Sequence, residues 1–345
     1  MPSLSPRFWQ ALLSVHLPAS RTALLLEEVR SSSYDPVASL LGSKHLSEKE
    51  KELVRRADSS ALDRALAAGV TVLEDPSYTE GIDPTLFPAA LFCWGHAEVL
   101  TGPRLAVVGT RKCTTYGQAA AQKFAEHLSL AGVCILSGGA MGIDTAAHRG
   151  ALDGSGRTAA VMPAGLDAAI KGTNKALCDQ IRAKGCLLSQ FGFGVNADNK
   201  TPLFRNEVVA ALADAVLVVE APHASGSLHT ANHALEQGKP VFVCPGPITN
   251  PTFNGSHELI RAGATLVYHP DQILRDMDWE GSLIRPEGAH SELRASILSE
   301  LSAGPLTTDA LAARLDLDPM DLGEELSDME MERLIMRHGA GYSVV

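Results

Sequence analysis

The chain has 345 residues, a formal net charge of −11 and 45% hydrophobic residues, few of which are aromatic. This length favours two or three domains over one core. No apolar run reaches the roughly 18 residues of a membrane helix, and the first residues lack a signal-peptide pattern. We therefore expect a cytoplasmic protein with no membrane partner.

The six cysteines are scattered along the chain, without a C-x-x-C pair or a neighbouring pair of histidines. This spacing favours reduced thiols over a zinc site or a disulfide framework, and we expect no metal. Cys113 follows two cations near a predicted helix start, a position that favours a lowered thiol pKa.

The first 70 residues predict a small all-α (SAM-like) module. Apolar residues such as Phe8, Trp9 and Leu12 recur at helical spacing, and Pro18 and Gly42 interrupt the pattern. Two strands follow, at 70–73 and 90–95.

From residue 105 onward, short apolar strands alternate with helical patterns, which indicates a mainly parallel sheet covered on both faces. The fold class is therefore α/β, with a Rossmann-like, doubly wound domain over 71–280 whose ligand crevice lies at the carboxyl ends of the strands. The predicted strands are 105–109, 133–137, 158–162, 186–189, 215–220, 240–244 and 264–267.

The tail predicts a linker at 281–289 and a winged-helix-like domain at 290–345, with three helices and a pair of strands. In winged-helix proteins the third helix usually enters the DNA groove. Here that helix, 319–331, is rich in Asp and Glu and would repel phosphate. We expect the tail to contact protein or to pack, rather than to bind DNA.

Three turns at the carboxyl ends of predicted strands carry small, hydroxyl-bearing or basic residues. Such turns leave backbone N–H groups and a positive helix end facing one crevice, which suits phosphate. Asp144 is the predicted N-cap of the helix after the second turn, and His148 on that helix is a predicted packing histidine. The candidate residues are Gly109, Thr110, Arg111 and Lys112 in the first turn, Ser137, Gly138 and Gly139 in the second, and Ser225, Gly226, Ser227 and Thr230 in the third.

A basic segment lies between these turns in an otherwise acidic chain. Residues 100–206 hold 12 Lys and Arg against 6 Asp and Glu, whereas the remainder holds 17 against 34. This distribution favours a localised anion-binding groove over a merely solvated basic face. The basic and amide candidates are Lys171, Asn174, Lys175, Arg205 and Asn206.

Several enzyme classes lack their motifs here. The first turn has neither G-x-G-x-x-G nor G-x-x-x-x-G-K-[ST] spacing, which argues against a dinucleotide site and a P-loop ATPase. One enzyme remains as an alternative, a Rossmann-like nucleotide phosphoribohydrolase of the lysine-decarboxylase-like group, with Glu236 as its acid. A third alternative is a scaffold whose crevice is vestigial.

The motifs V-V-G-T-R, I-L-S-G-G-A-M-G-I-D-T-A-A-H-R-G, R-N-E-V-V and V-V-E-A-P-H-A-S-G-S-L-H-T-A, in this order across 105–267, resemble the DNA-processing protein A (DprA, or Smf) family. The resemblance implies a dimeric, non-enzymatic single-stranded-DNA-binding protein of natural transformation. Such proteins protect incoming strands, displace single-strand-binding protein and load the RecA recombinase, with no nucleotide cofactor.

The resemblance also assigns roles to individual residues. It implies that Arg111 binds phosphate, that residues 137–139 form a backbone cradle, and that Lys175 and the Arg205-Asn206 pair complete the basic site. The chain departs from the family pattern at Ile170-Lys171, Gln190 and Pro202-Leu203. These departures remove the usual rings near the Arg-Asn pair, which Phe191, Phe193 or Phe204 would have to supply.

Overall fold

The computed structural model describes residues 4–15, 17–57, 59–74, 90–169, 174–279, 289–302, 304–315, 317, 319–331, 334–338 and 341–344. The chain divides into two compact units, Met1–Leu283 and Ile284–Val345. The predicted linker lies outside the described residues except for its last position. No helix in these described ranges is long and apolar enough to span a bilayer.

The N-terminal segment is helical, as predicted. Ser5 and Asp35 cap the first and third helices, and Ser47 and Glu50 form a capping box at the start of the fourth. The second helix begins just after Pro18, which cannot continue a preceding helix. The helices are α1 (Pro6–Leu13), α2 (Ala19–Ser31), α3 (Pro36–Gly42), α4 (Glu48–Arg56) and α5 (Ser59–Ala67).

Helix α1 is fixed to the large sheet of the first unit. The side chain of Gln10 donates to the carbonyl of Phe193 and accepts from its N–H, both at 2.9 Å. The N–H of Gly192 donates to the carbonyl of Leu13. The five helices thus share one hydrophobic core with a face of the sheet, and the domain boundary placed at residue 70 stays a prediction.

Within the described residues the large sheet has nine strands in the order β1-β2-β6-β5-β4-β3-β7-β8-β9. Strands β3 to β9 are parallel to one another, and β2 pairs antiparallel with both β1 and β6. The strands are β1 (Val70–Leu73), β2 (Leu91–Gly95), β3 (Arg104–Val108), β4 (Cys134–Ser137), β5 (Thr158–Val161), β6 (Cys186–Ser189), β7 (Ala215–Val218), β8 (Val241–Val243) and β9 (Thr265–Leu266).

Helices cover both faces of the sheet, because the strand side chains that point to each face are apolar. Leu105 and Val107 face one buried cluster, and Ala106 and Val108 face the other. The chain order reverses between β3 and β7, so the crevice of a doubly wound sheet lies at their carboxyl ends. The helices are α6 (Thr115–Leu130), α7 (Ile143–Asp153), α8 (Leu166–Ala169), α9 (Lys175–Lys184), α10 (Thr201–Leu212), α11 (Gly226–Glu236), α12 (Asn254–Arg261) and α13 (Pro270–Asp276).

The second unit has the helices and strands of a winged helix around its own core, which includes Ile297, Leu311 and Leu326. Strand β10 was not predicted; it has two residues, too few for a visible alternation. Glu325 on the acidic third helix pairs with Arg294 inside this unit. The elements are α14 (Ala289–Ser302), β10 (Leu306–Thr307), α15 (Thr308–Leu315), α16 (Pro319–Met331), β11 (Ile335–His338) and β12 (Gly341–Val344), with strand order β10-β12-β11.

Candidate functional site

The turn after β3 is held in place at its base. The N–H of Thr110 donates to the carbonyl of Glu220, at the end of β7, over 2.7 Å. Gly109 lies so close to Ile143 that a Cβ would come within 2.5 Å of that side chain. These two residues therefore fix the turn between β7 and α7. The Thr110 hydroxyl serves the same turn, since it accepts from the N–H of Lys112 at 3.2 Å.

The tip of the same turn carries Arg111 and Lys112, both exposed. No ion pair involves either cation among the described residues. An exposed guanidinium at a strand end is a strong donor to phosphate oxygens. The structure therefore leaves these two predicted residues available to a ligand.

The buried side chain of Asp144 holds the glycine turn after β4 in place. Its carboxylate accepts from the N–H groups of Gly138 at 3.1 Å and Ala140 at 3.3 Å. Asp144 is not the N-cap of α7, contrary to the prediction, because the helix begins at Ile143 with Gly142 at the cap position. Burial raises the pKa of Asp144, while the charge of Arg205 and these hydrogen bonds oppose the rise.

Three residues of the two turns that line the cleft described below, Arg111, Gly139 and Met141, have a backbone N–H without a hydrogen-bond partner among the described residues. Gly139 adopts φ +66°, a left-handed conformation that favours glycine. By contrast, the Ser137 hydroxyl is buried and donates to the Val107 carbonyl at 2.7 Å. The second turn therefore offers backbone donors to a ligand, and the hydroxyl group of Ser137 serves the fold.

Arg205 on α10 lies beneath the glycine turn and is only 4% exposed. Its Nη1 donates to the carbonyls of Gly138 and, at 3.1 Å, Val161, and its Nε donates to Asn206 at 2.9 Å. Its Nη2 has no partner among the described residues, and Arg205 lines the cleft. Burial lowers the pKa of Arg205; the Asp144 carboxylate opposes this shift and Arg111 adds to it.

These turns border one open cleft of about 450 Å³. It brings together five of the predicted residues: Arg111, Gly138, Gly139, Asn174 and Arg205. Two cations and unpaired amides favour an anion, and the apolar part of the wall can pack against a sugar or base. The sequence did not point to that apolar part, which comes from Ala140, Met141, Met162, Pro163, Ala164, Ala168 and Ala169.

Asn174 and Lys175 differ in position although they are adjacent. The Asn174 side chain donates to the carbonyl of Gly139 at 3.1 Å, so it supports the glycine turn from α9. Lys175 is exposed and pairs with Asp179 one helical turn along, at 2.7 Å. Lys171 lies outside the described residues.

The third turn does not line this cleft. Ser225 caps α11 and its hydroxyl contacts that of Ser227 at 2.6 Å, while Ser227 and Thr230 are buried. Asn206 links this turn to the cleft, since its side chain accepts from Arg205 and donates to the carbonyl of Gly226. The hydroxyl groups predicted to bind a ligand are thus used to start α11 and to pack it.

The basic residues of 100–206 are divided between the carboxyl ends of the parallel strands, where the cleft lies, and their amino ends, which corrects the expectation of a single groove. Arg104 begins β3, at the amino end, and pairs with Asp214 at 2.8 Å. Arg157 and Lys184 also lie at the amino ends of strands, where they donate to backbone carbonyls. A count along the sequence cannot separate the two ends of a parallel strand.

Two other predictions concern single titratable groups. Burial raises the pKa of the Cys113 thiol, and the Glu220 carboxylate adds to the rise, so the prediction of a lowered pKa was wrong. His148 is a buried packing histidine, as predicted, with Nδ1 at 2.7 Å from the Thr158 hydroxyl. That hydroxyl donates to the carbonyl of Ile135, so we assign the imidazole proton to Nδ1.

Two further expectations concern a metal site and the alternative enzyme, a nucleotide phosphoribohydrolase. No group of three His, Cys, Asp or Glu side chains in the described parts of the chain is arranged to hold a metal ion. Glu236, the acid of the alternative enzyme, ends α11 and pairs with His233. It lies about 15 Å along α11 from the strand-end turn that begins this helix, too far to act at that turn.

Comparison with known proteins identifies relatives of this chain and its fold. The sequence profile of the DNA recombination-mediator protein A family matches residues 69–278, and that of the DprA winged helix domain matches 284–341. The chain is 35% identical to protein Smf of Escherichia coli K12 over 269 residues, covering 75% of this chain and 72% of Smf. It is 39% identical to DNA processing protein DprA of Streptococcus pneumoniae over 192 residues, covering 56% and 68%.

Two solved structures share both sequence and fold with this chain. The X-ray structure of DNA processing protein A from S. pneumoniae matches with a TM-score of 0.66 and 30% identity, covering 79% of this chain and 98% of that one. DNA processing protein A from Helicobacter pylori, a structure described for its single-stranded DNA binding mode, matches with a TM-score of 0.55 and 30% identity, covering 60% and 95%. Together with its sheet and its cleft, these matches show that the chain belongs to the DNA recombination-mediator protein A (DprA) family.

Proposed function

We propose that this protein binds single-stranded DNA along the cleft between the turns after β3 and β4. The observation that carries the proposal is the convergence of Arg111, one face of Arg205 and three unpaired backbone amides on one open cleft. Phosphodiester oxygens match these donors in charge and geometry. None of the donors distinguishes one base from another, so binding has little sequence preference.

Other residues next to the cleft hold these donors in position through hydrogen bonds. Asn174 and Asp144 hold the glycine turn, Arg205 ties that turn to β5, and Asn206 ties Arg205 to α11. Lys112 and Lys175, each next in the chain to a residue that lines the cleft, add positive charge beside it; Lys171 is a candidate from the sequence alone. Lys175 can exchange Asp179 for a phosphate at little cost, because exposed ion pairs are weak.

The family and its relatives support a role for this cleft in DNA processing during transformation and recombination. In this proposal the protein is a cytoplasmic homodimer without catalytic activity or nucleotide cofactor. It protects incoming single strands, displaces single-strand-binding protein and loads RecA. This role is tested by RecA strand exchange on oligonucleotides coated with single-strand-binding protein, where addition of this protein shortens the lag before exchange begins.

The binding proposal is tested with Arg111→Ala. Fluorescence anisotropy with a labelled oligo-dT of about 20 nucleotides, between roughly 50 and 300 mM NaCl, gives both the affinity and its salt dependence. We expect affinity to fall about tenfold or more at low salt, because a charge-assisted hydrogen bond to phosphate is removed. The slope of log K against log salt should fall by about 0.7 for each phosphate that the variant no longer neutralises.

Arg56→Ala is the matched control, since it removes the same charge from an exposed position on α4. It should leave both the affinity and the salt slope close to those of the parent. If Arg111→Ala binds the oligonucleotide as tightly as the parent at low and moderate salt, the proposed contact is wrong.

A further inference from the structure

Glu220 is a buried acid at the carboxyl end of β7, directly under the turn that carries Arg111. Its side chain is fully buried. One carboxylate oxygen, Oε2, accepts from the N–H of Thr114 at 2.9 Å and from its hydroxyl at 2.8 Å. The backbone carbonyl of the same residue accepts from the N–H of Thr110.

Glu220 therefore holds both ends of one short turn. Thr110 begins the turn and Thr114 ends it as the N-cap of α6. The exposed cations Arg111 and Lys112 lie between these two anchors. Because both anchors are bonded to one buried residue just after a central strand, the reach of the arginine is fixed relative to the sheet.

The start of α6 is built around this carboxylate. The Thr114 hydroxyl also accepts from the N–H of Gly117 at 3.0 Å, which closes the first turn of the helix. A Cβ on Gly117 would lie 2.1 Å from Oε2 of Glu220, so the helix backbone packs directly on the acid. A negative charge at a helix N-terminus is also favourable to the helix dipole.

Packing alone does not account for an acid at this position. The second carboxylate oxygen, Oε1, is buried and has no hydrogen-bond partner in the described residues. A buried, half-satisfied carboxylate costs stability that an apolar side chain would not. An acid under a ligand-binding turn is therefore best explained by what it does for that turn.

We infer that Glu220 is the positioning residue of the proposed DNA site: it presents Arg111 to the phosphate without touching the DNA. The inference rests on the proposed function of the cleft. It predicts that Glu220 affects binding only through the turn, so its contribution disappears when Arg111 is absent.

The test is a double-mutant cycle on oligo-dT affinity, with Arg111→Ala, Glu220→Ala and the double variant. Glu220→Ala should weaken binding about as much as Arg111→Ala does, roughly tenfold. The double variant should bind no more weakly than Arg111→Ala alone. Glu220→Gln keeps an acceptor for Thr114, and it should bind within about threefold of the parent even if its melting temperature falls.

A second variant covers the case in which Glu220→Ala does not fold. Thr114→Val removes the hydroxyl group but no buried charge, and its effect on affinity should likewise vanish in the Arg111→Ala background. Ser47→Ala is the control, because it removes the N-cap of α4. It should lower the melting temperature by a comparable amount and leave the affinity unchanged.

The possible outcomes separate the two proposals. If Glu220→Ala, or Thr114→Val in its place, weakens binding by the same factor with and without Arg111, the positioning role is overturned while the DNA site stands. The same holds if Glu220→Gln loses affinity as fully as Glu220→Ala. If Arg111→Ala itself has no effect, the proposed function fails, and the inference fails with it.

Discussion

Arg205 and Gly138 are in direct contact: the buried guanidinium donates to the glycine carbonyl and fills the space where a side chain would begin. A Cβ built on Gly138 would lie 2.0 Å from Nη1 of Arg205. The two residues are 67 positions apart in the chain. Their contact joins the glycine turn to α10 and sets one wall of the cleft.

Gly138→Ala tests this contact. The added methyl group must displace the guanidinium, which is held by Val161 and Asn206 and cannot move freely. We expect a loss of about 1–3 kcal/mol in the free energy of unfolding, as for an overpacked core. Affinity for oligo-dT should fall as well, because the turn and Arg205 shift together.

Urea denaturation and anisotropy measure the two effects. Gly42→Ala is the control, since a Cβ there meets no atom within 4 Å and its position ends a helix. It should be neutral, or stabilising by up to about 1 kcal/mol. Unchanged stability and affinity in Gly138→Ala would show that the contact is not tight in solution.

Phe204→Ala separates base stacking from phosphate binding. Of the three phenylalanines considered for stacking, Phe191 and Phe193 are 2% and 4% exposed and belong to the core, whereas Phe204 on α10 is 37% exposed. We expect Phe204→Ala to weaken binding by about 1–3 kcal/mol per stacked base. The salt slope should stay the same, because the variant neutralises as many phosphates as the parent does.

Tyr34→Ala is the control for Phe204, since it removes an exposed ring from the loop between α2 and α3. Its affinity should match that of the parent. An unchanged affinity in Phe204→Ala, or a fall in salt slope equal to that of Arg111→Ala, would contradict a stacking role. Phe204→Trp should retain binding if the ring is what matters.

His148 makes stability depend on pH. Burial, with a smaller effect from Arg205, lowers its pKa from 6.5 to about 3. Between these values the unfolded chain binds the proton and the folded protein does not, so stability falls as the pH is lowered from 6.5 toward 3. For this one group the slope approaches about 1.4 kcal/mol per pH unit.

His148→Asn keeps a donor near the Thr158 hydroxyl and removes the titration. Urea denaturation at pH values between about 4.5 and 7 should show a shallower fall in stability than the parent shows. His229→Asn, at an exposed position of α11, should leave the slope unchanged. Asp144 acts in the opposite sense, because its pKa is raised, but it is common to all variants and cancels in the comparison.

Local features of the sequence were enough to predict the fold class. The strands from β3 to β8 are continuous apolar runs, and the turns after them contain glycine and helix-capping residues, so both were recognisable from neighbouring residues. β9, although only two residues long, lies within the predicted segment 264–267. Local pattern missed β10, and it misplaced the cap of α7, where Gly142 rather than Asp144 occupies the N-cap position. Short elements and caps depend on contacts that the pattern does not contain.

The sequence by itself determined the order of strands and helices along the chain and the turns at the carboxyl ends of the parallel strands, because these follow from residues close together in the chain. Only the tertiary structure decided what each candidate side chain does there. It placed Arg111 at the open tip of its turn, buried Arg205 against carbonyls from β5 and the glycine turn, and placed Glu220 under the turn that carries Arg111. Burial and pairing of charges depend on partners tens of residues away, and no local pattern encodes them.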